Sequence, residues 1–315
     1  MDEELTPSQY LIAVLREHSI SRDSPEVERI RAVREDIRTI LRSEYGSVPT
    51  LNEGGSKAKG TMIRDSYDLD LFCHFPEGDS TAGQSLEAIY HDVYATLSGE
   101  FFVEPGRSAL KVHTRESSED IVTRGPYLHV DVVPGRFIRD GEGAVNLFQN
   151  GGEKGSLKTN PAVHISHIRD SGVRKAIRLA KLWNHRWNLS VKTFALELLV
   201  VKVLQDHSGE PLPEQLLRLW EELRENASTL SVEDPANPQG NDLSEILNLS
   251  TRSRIQGAAE QALSVVSTFG WGNVFGPLAE ISPREKAAAL GAVTERISAG
   301  RPTRPYFDGC SVVSR

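Results

Sequence analysis

Gly54–Phe75 reads GGSKAKGTMIRDSYDLDLFCHF, and the chemistry of the chain concentrates there. Gly54-Gly55-Ser56 follows a short strand and opens a helix of one or two turns. Glycine lets a backbone approach a phosphate closely, and a helix start presents unpaired N–H groups to an anion. Ser56 adds a hydroxyl donor. Twelve residues after Ser56 the pattern Asp68-Leu69-Asp70-Leu71 begins an alternating stretch that ends at Phe75. On a strand, positions i and i+2 share a face, so both carboxylates project together while Leu69 and Leu71 point into a core. Two like charges held side by side repel unless a cation neutralises them. Mg²⁺, a hard ion that takes one or two carboxylates plus substrate phosphate oxygens, suits such a pair. Tyr127–Val133 (YLHVDVV) alternates again and puts a third carboxylate, Asp131, at the polar phase of another strand. Singly, Asp-x-Asp is the pattern of a solvated strand face and Gly-Gly-Ser that of a turn. Their order and spacing together carry the reading: three carboxylates on neighbouring strands able to hold two metal ions for in-line attack at phosphorus.

Outward from this stretch the period of the sequence changes twice. Gln9–His18 and Ser24–Tyr45 read as helices; the second starts at Ser24-Pro25, carries Val27, Ile30, Val33, Ile37, Ile40 and Leu41 at helical spacing, and is ended by Gly46 and Pro49. Further short strands are predicted at Phe101–Glu104 and Ala109–His113, with a helix at Gln84–Leu97. Gly135–Asn160, rich in Gly, Asn and Lys, reads as a long loop. Helices follow at 161–188, 192–207, 213–227, 252–269 and 283–298, with 231–242 (SVEDPANPQGND) as a break. The expectation is an α/β (α+β) chain of two lobes: a small mixed sheet with helices over 1–160, and a helical bundle over 161–315.

The 315 residues carry 36 Lys+Arg against 44 Asp+Glu, a formal net charge of −8. Binding to a polynucleotide rests on neutralising phosphates with Lys and Arg, so this balance argues against extended nucleic-acid binding while allowing a local basic cleft. No run reaches the roughly 18–20 apolar residues of a membrane span. The start, Met1-Asp2-Glu3-Glu4, lacks the apolar core of a secretory signal. Cys73 and Cys310 give neither a disulfide framework nor a Cys-x-x-Cys site, so a reducing cytoplasm is expected.

Gly55-Ser56, Asp68-x-Asp70 and the later Asp131 together resemble the DNA polymerase beta-like nucleotidyltransferase superfamily. In the helical half, Arg174, Arg178 and Lys181 recur at steps of four and three, and Lys192–Leu199 (KTFALELL) starts the next helix. An Arg/Lys-Leu-x-Lys-x-Trp helix, a Thr-aromatic-x-Leu-Glu-Leu-Leu helix and the Asp-Pro turn at 234–235 resemble the oligoadenylate synthase and cyclic GMP–AMP synthase branch. Thr159-Asn160-Pro161 and Trp271–Gly276 (WGNVFG) are similar to its bacterial members, the DncV-like cyclic-oligonucleotide synthases (CD-NTases) of anti-phage signalling.

The resemblance implies a bilobal polymerase beta-like fold and a nucleotidyltransferase that joins NTPs, ATP among them, with release of pyrophosphate to form a cyclic di- or trinucleotide messenger. It implies two Mg²⁺ ions, with Mn²⁺ as a substitute, held by Asp68, Asp70 and Asp131. It assigns Gly55 and Ser56 to the donor's phosphates and Lys181 and Thr193 to the triphosphate tail. Phe194 is assigned to base stacking, without the hydroxyl of the family's tyrosine. Arg178 is read as a further phosphate contact. An effector activated by the cyclic product and a regulatory protein are the implied partners. Gly-Ser-x-Ala-Lys-Gly-Thr (55–61) is also similar to archaeal CCA-adding enzymes, but the charge and length do not suit a tRNA-handling chain. Synthesis of a linear oligonucleotide and a non-catalytic nucleotide-binding scaffold are the competing functions. His129 reads as a structural neighbour of Asp131, and His164 and His167 as surface or capping residues.

Overall fold

The computed structural model describes residues 5–20, 24–65, 69–113, 129–138, 143–151, 154–238, 241, 243 and 245–278. Asp68, the predicted helix at 283–298 and the tail 301–315 lie outside the described residues.

Helix α1 (Pro7–Glu17) begins at a capping box, in which Thr6 and Gln9 exchange side-chain and backbone hydrogen bonds. Helix α2 (Pro25–Tyr45) starts where Ser24 accepts from Val27 N and Pro25 takes the first turn, as the sequence predicts. Strand β1 (Thr50–Glu53) and the five-residue helix α3 (Gly55–Lys59) lead to β2 (Leu69–Phe75). Helix α4 (Leu86–Ser98) crosses to β3 (Phe102–Pro105), β4 (Leu110–His113) and β5 (Val130–Phe137). The sheet runs β1-β2-β5-β4-β3, with β2 and β5 parallel and β1-β2, β3-β4 and β4-β5 antiparallel. The expected α/β (α+β) class, a mixed sheet with helices, is the one observed.

The predicted loop over 135–160 is instead an extension of that sheet. β5 runs on to Phe137, and β6 (Val145–Phe148) and β7 (Ser156–Thr159) form an antiparallel hairpin on its end. Each added strand is four residues long, too short for its alternation to stand out among the Gly and Asn of its turns. The predicted helix over 161–188 is two helices, α5 (Pro161–Arg169) and α6 (Arg174–Arg186). They separate at Asp170-Ser171-Gly172, where Gly172 has φ +78. Helices α7 (Thr193–Leu204), α8 (Leu212–Glu225), α9 (Leu249–Phe269) and the short α10 (Gly272–Phe275) complete the described chain.

The buried apolar side chains form two clusters. One lies between the sheet and helices α2 and α4 and includes Leu69, Leu71, Cys73, Val130 and Val132, each 2 % exposed or less. The other fills the helical half around Trp183 and Trp220 and takes in Leu11, Val14 and Leu15 of α1. Trp183 and Trp187, four residues apart, are packing residues.

Candidate active site

The alternation of β2 and β5 buries Leu69, Leu71, Val130 and Val132 against the helices and turns Asp70 and Asp131 to the opposite face. Parallel pairing sets Asp70 directly beside Asp131 in the register. Neighbouring strands lie about 4.8 Å apart, so the two aspartates project from adjacent positions on one face of the sheet. Asp131 has His129 Nε2 at 3.5 Å from its Oδ1, so the histidine does point the same way.

Glycine is required where α3 meets β2. Gly54 N donates to the Asp70 carbonyl at 3.0 Å, and a Cβ on Gly54 would fall 2.2 Å from the Phe72 ring. Gly55 has φ +59, and a Cβ there would lie 1.5 Å from Asp70 Oδ2. The start of α3 therefore rests on the carboxylate itself. Ser56, the next residue, is 8 % exposed, and its Oγ has no hydrogen-bond partner among the described residues.

Gly55 and Asp70 open into a cavity of about 750 Å³ between the sheet and the helical half, whose lining does not include Ser56 or Asp131. Gly55, Asp70, Phe72 and His74 form part of its wall on the sheet side, and the β6–β7 hairpin contributes Asn146, Lys154 and Lys158. Phe72 and His74 stack at 5.3 Å between centroids. Burial pushes the His74 imidazole down to about 4, and its Nε2 has no partner among the described residues.

The helical side begins at Lys59. Its Nζ donates to Glu197 Oε2 at 2.8 Å and lies 5.4 Å from the centroid of the Phe194 ring. Glu197 is 1 % exposed and also accepts from Thr61 Oγ1 at 2.6 Å. Lys181, 4 % exposed, donates to the Thr61 carbonyl at 3.1 Å and stands 3.9 Å from Glu197 Oε1. Two lysines and a glutamate thus tie the end of α3 to α6 and α7.

The structure gathers Gly55, Asp70 and Phe194 around one cavity. Lys181 and Thr193 share a separate recess of about 210 Å³ with Asn184, His185, Asn188 and Ser190. Arg178 turns to α1, donating to the Leu15 carbonyl at 3.0 Å and Ser19 Oγ at 2.7 Å, and lines neither space.

One cavity residue departs from its sequence reading. His164 is not a surface or capping residue: its ring packs 4.9 Å from Phe194, and its Nε2 lies 2.6 Å from Asp234 Oδ1. Asn160, not His164, caps α5, accepting from Ala162 N and Val163 N. Asp234 is 3 % exposed and also accepts from Asn241 Nδ2 at 2.6 Å and Ala236 N at 2.8 Å. Burial alone would raise its carboxyl, but the bonds from His164 and Asn241 outweigh it and hold the group below the usual carboxylate range. Asn241 and Asn237 also donate to the Lys158 carbonyl, which fastens this turn to β7. The sequence signal for the pairing was thin, since 70 residues separate His164 from Asp234.

No family model matches the sequence, and no curated protein does. Solved structures do. CdnC of E. coli MS115-1, in complex with HORMA-deltaN, matches at TM-score 0.63 with 20 % identity, covering 89 % of this chain and 100 % of that one. The Bradyrhizobium diazoefficiens CD-NTase CdnG, in complex with GTP, matches at TM-score 0.63 with 14 % identity, covering 92 % and 99 %. Vibrio cholerae DncV cyclic AMP-GMP synthase, in complex with nonhydrolyzable GTP, matches at TM-score 0.59 with 15 % identity, covering 88 % and 86 %. A likeness over nearly the whole of each chain extends to both the sheet and the helical half, and on that ground the chain has the fold of the bacterial CD-NTases.

Proposed function

We propose that the chain is a metal-dependent nucleotidyltransferase that joins NTPs, with release of pyrophosphate, into a cyclic di- or trinucleotide. The observation that carries this reading is the register of Asp70 against Asp131, with the start of α3 pressed onto Asp70 at the edge of a cavity of nucleotide size. Asp70 and Asp131 fit a divalent cation, being two hard oxygen donors on adjacent strands, and Asp68 belongs to the same set on the sequence pattern. When bound, Mg²⁺ or Mn²⁺ would lower the pKa of the attacking hydroxyl and neutralise charge at the α-phosphorus.

The chain's own residues position and neutralise. The buried Ser56 hydroxyl donates to a phosphate oxygen, and Gly55 keeps backbone and carboxylate within reach of the same group. Lys59 presents its ammonium to the cavity from the end of α3, and Phe194 offers a ring to a base. Lys181 acts at one remove, holding the Thr61 carbonyl and, with Glu197, the position of Lys59. Alignment of the hydroxyl with the phosphorus and preorganised charge are the main sources of rate in such a site. The product would serve as a messenger for a cyclic-nucleotide-activated effector in anti-phage signalling. A regulatory protein fits the likeness to CdnC, whose structure holds a HORMA partner.

The test is a product assay. Purified protein is incubated with Mg²⁺ or Mn²⁺ and NTP mixtures, treated with phosphatase and chromatographed. A phosphatase-resistant oligonucleotide without a terminal phosphate is the expected result. Labelled nucleotide found only on added tRNA would replace the reading with a CCA-adding enzyme, and a phosphatase-trimmed linear product would replace it with an oligonucleotide synthase.

A further inference from the structure

The cavity wall runs from Asp70 to a histidine, His164, that the nucleotidyl-transfer chemistry does not use. Gly55 rests on Asp70, and Lys59, four residues along α3, lies about 6 Å further on. Lys59 stands over Phe194, Phe194 packs against His164, and His164 bonds to Asp234. A nucleotide with its phosphates at Gly55 and Ser56 and its base at Phe194 would therefore bring the edge of that base to His164.

What His164 presents there is decided by Asp234. This carboxyl is buried, held below its usual range and fixed by bonds from Asn241 and Ala236, so it is a rigid anionic acceptor. It requires a proton on His164 Nε2. In the neutral ring Nδ1 is then a hydrogen-bond acceptor, and among the described residues nothing bonds to it. We infer that His164 is a specificity-determining residue: its Nδ1 accepts from the exocyclic amino group of the bound base, and Asp234 is the positioning residue that fixes the ring in this tautomer. The site thereby favours an amino-bearing purine over its oxo counterpart. The inference rests on the proposed nucleotide binding at this cavity.

ATP and inosine 5′-triphosphate form the matched pair of probes, because the change is amino to oxo at one ring carbon. Their non-hydrolysable analogues are titrated calorimetrically into the full chain with Mg²⁺. The wild type is expected to bind the ATP analogue about tenfold or more tightly than the inosine analogue, the scale of one buried hydrogen bond gained or left unmade. His164→Ala should bind both within about twofold of each other, with the loss falling on ATP. Asp234→Asn, which offers the ring a donor as well as an acceptor, should collapse the ratio in the same way. If Asp234→Asn does not fold by thermal melting, the wild-type ratio and His164→Ala carry the test. A wild type that binds both analogues equally, or prefers inosine, overturns the assignment, as does a His164→Ala protein that keeps the wild-type ratio. Failure of the two readings is separable. A phosphatase-resistant product formed equally from ATP and inosine triphosphate defeats the His164 assignment alone, whereas neither binding nor product from any NTP defeats the proposed function with it.

Discussion

Glu197→Gln should be one of the most destabilising isosteric changes in the chain. The wild-type carboxylate is 1 % exposed and is shared by Lys59 Nζ at 2.8 Å, Thr61 Oγ1 at 2.6 Å and, at 3.9 Å, Lys181 Nζ. Gln keeps an acceptor for Thr61 but removes the carboxylate charge set against two ammonium groups. Breaking a buried ion pair by neutralising one partner costs about 3–5 kcal/mol. The two lysines do not share that cost equally. Lys59 lines the cavity and its side chain is 13 % exposed, so it can regain water by a change of rotamer. Lys181 is 4 % exposed, and the Thr61 carbonyl it bonds is an uncharged acceptor, so its ammonium bears most of the penalty. The expected loss is therefore near the lower end, about 3 kcal/mol. Guanidinium denaturation followed by tryptophan fluorescence reads it directly, because Trp183 lies in the same helical cluster. Lys181→Met supplies the control: the double variant should be more stable than the sum of the single losses predicts, by about 1 kcal/mol or more. If Glu197→Gln lies within about 1 kcal/mol of wild type, or the two changes add, Glu197 is not neutralising Lys181 and the account of this network fails.

Asp70→Asn and Asp131→Asn should each cut product formation at least about 100-fold, yet leave the melting temperature unchanged or higher, because each relieves repulsion between carboxylates paired in register. A parallel fall in stability would show that the pair is structural. Gly55→Ala puts a Cβ 1.5 Å from Asp70 Oδ2 at a φ of +59. It should cost about 1–2 kcal/mol in backbone strain and, by displacing the carboxylate, lower turnover about 100-fold; near-normal turnover would disprove the contact. His74 gives a pH signature. Its folded value is pushed to about 4 by burial against 6.5 unfolded, so between these the unfolded chain binds the extra proton and stability rises with pH. Denaturation midpoints should fall on acidification across that window, by an amount on the order of 3 kcal/mol, and His74→Leu should flatten the slope. An unchanged slope in the variant would place the titration elsewhere.

The palm of the site was legible because its signals are local. Glycine beside serine, and carboxylates alternating with buried leucine and valine, fix backbone approach and face within a few residues, and pairing of β2 with β5 only had to bring Asp70 and Asp131 together. The hairpin β6–β7 was not legible, since four-residue strands between glycine turns acquire their identity from the edge of β5 that they extend. His164 and Asp234 were hidden for the opposite reason. Each stands in a stretch with an adequate local explanation, a helix start and an Asp-Pro turn, and their relation exists only once β7 holds the turn through the Lys158 carbonyl.

The basic stripe of α6 shows where periodicity stops being informative. Arg174, Arg178 and Lys181 do share a helical face, and a face of three cations reads as one electrostatic device. Yet a helix packed on several sides assigns each residue of a face to a different neighbour. Arg174 lies against Gly60, where a Cβ would come within 2.7 Å of its Nη1. Arg178 is taken by α1 through the Leu15 carbonyl and Ser19. Lys181 is taken by Thr61 and Glu197. Lys181 holds the segment that leads from α3 toward β2, Arg174 lies against its Gly60, and Arg178 holds α1. Within the chain, their side chains are engaged with the segment after α3 and with α1. The cations that do line the cavity, Lys59, Arg107, Lys154 and Lys158, come from the short α3, the β3–β4 turn and the β6–β7 hairpin, where no helical period could have revealed them.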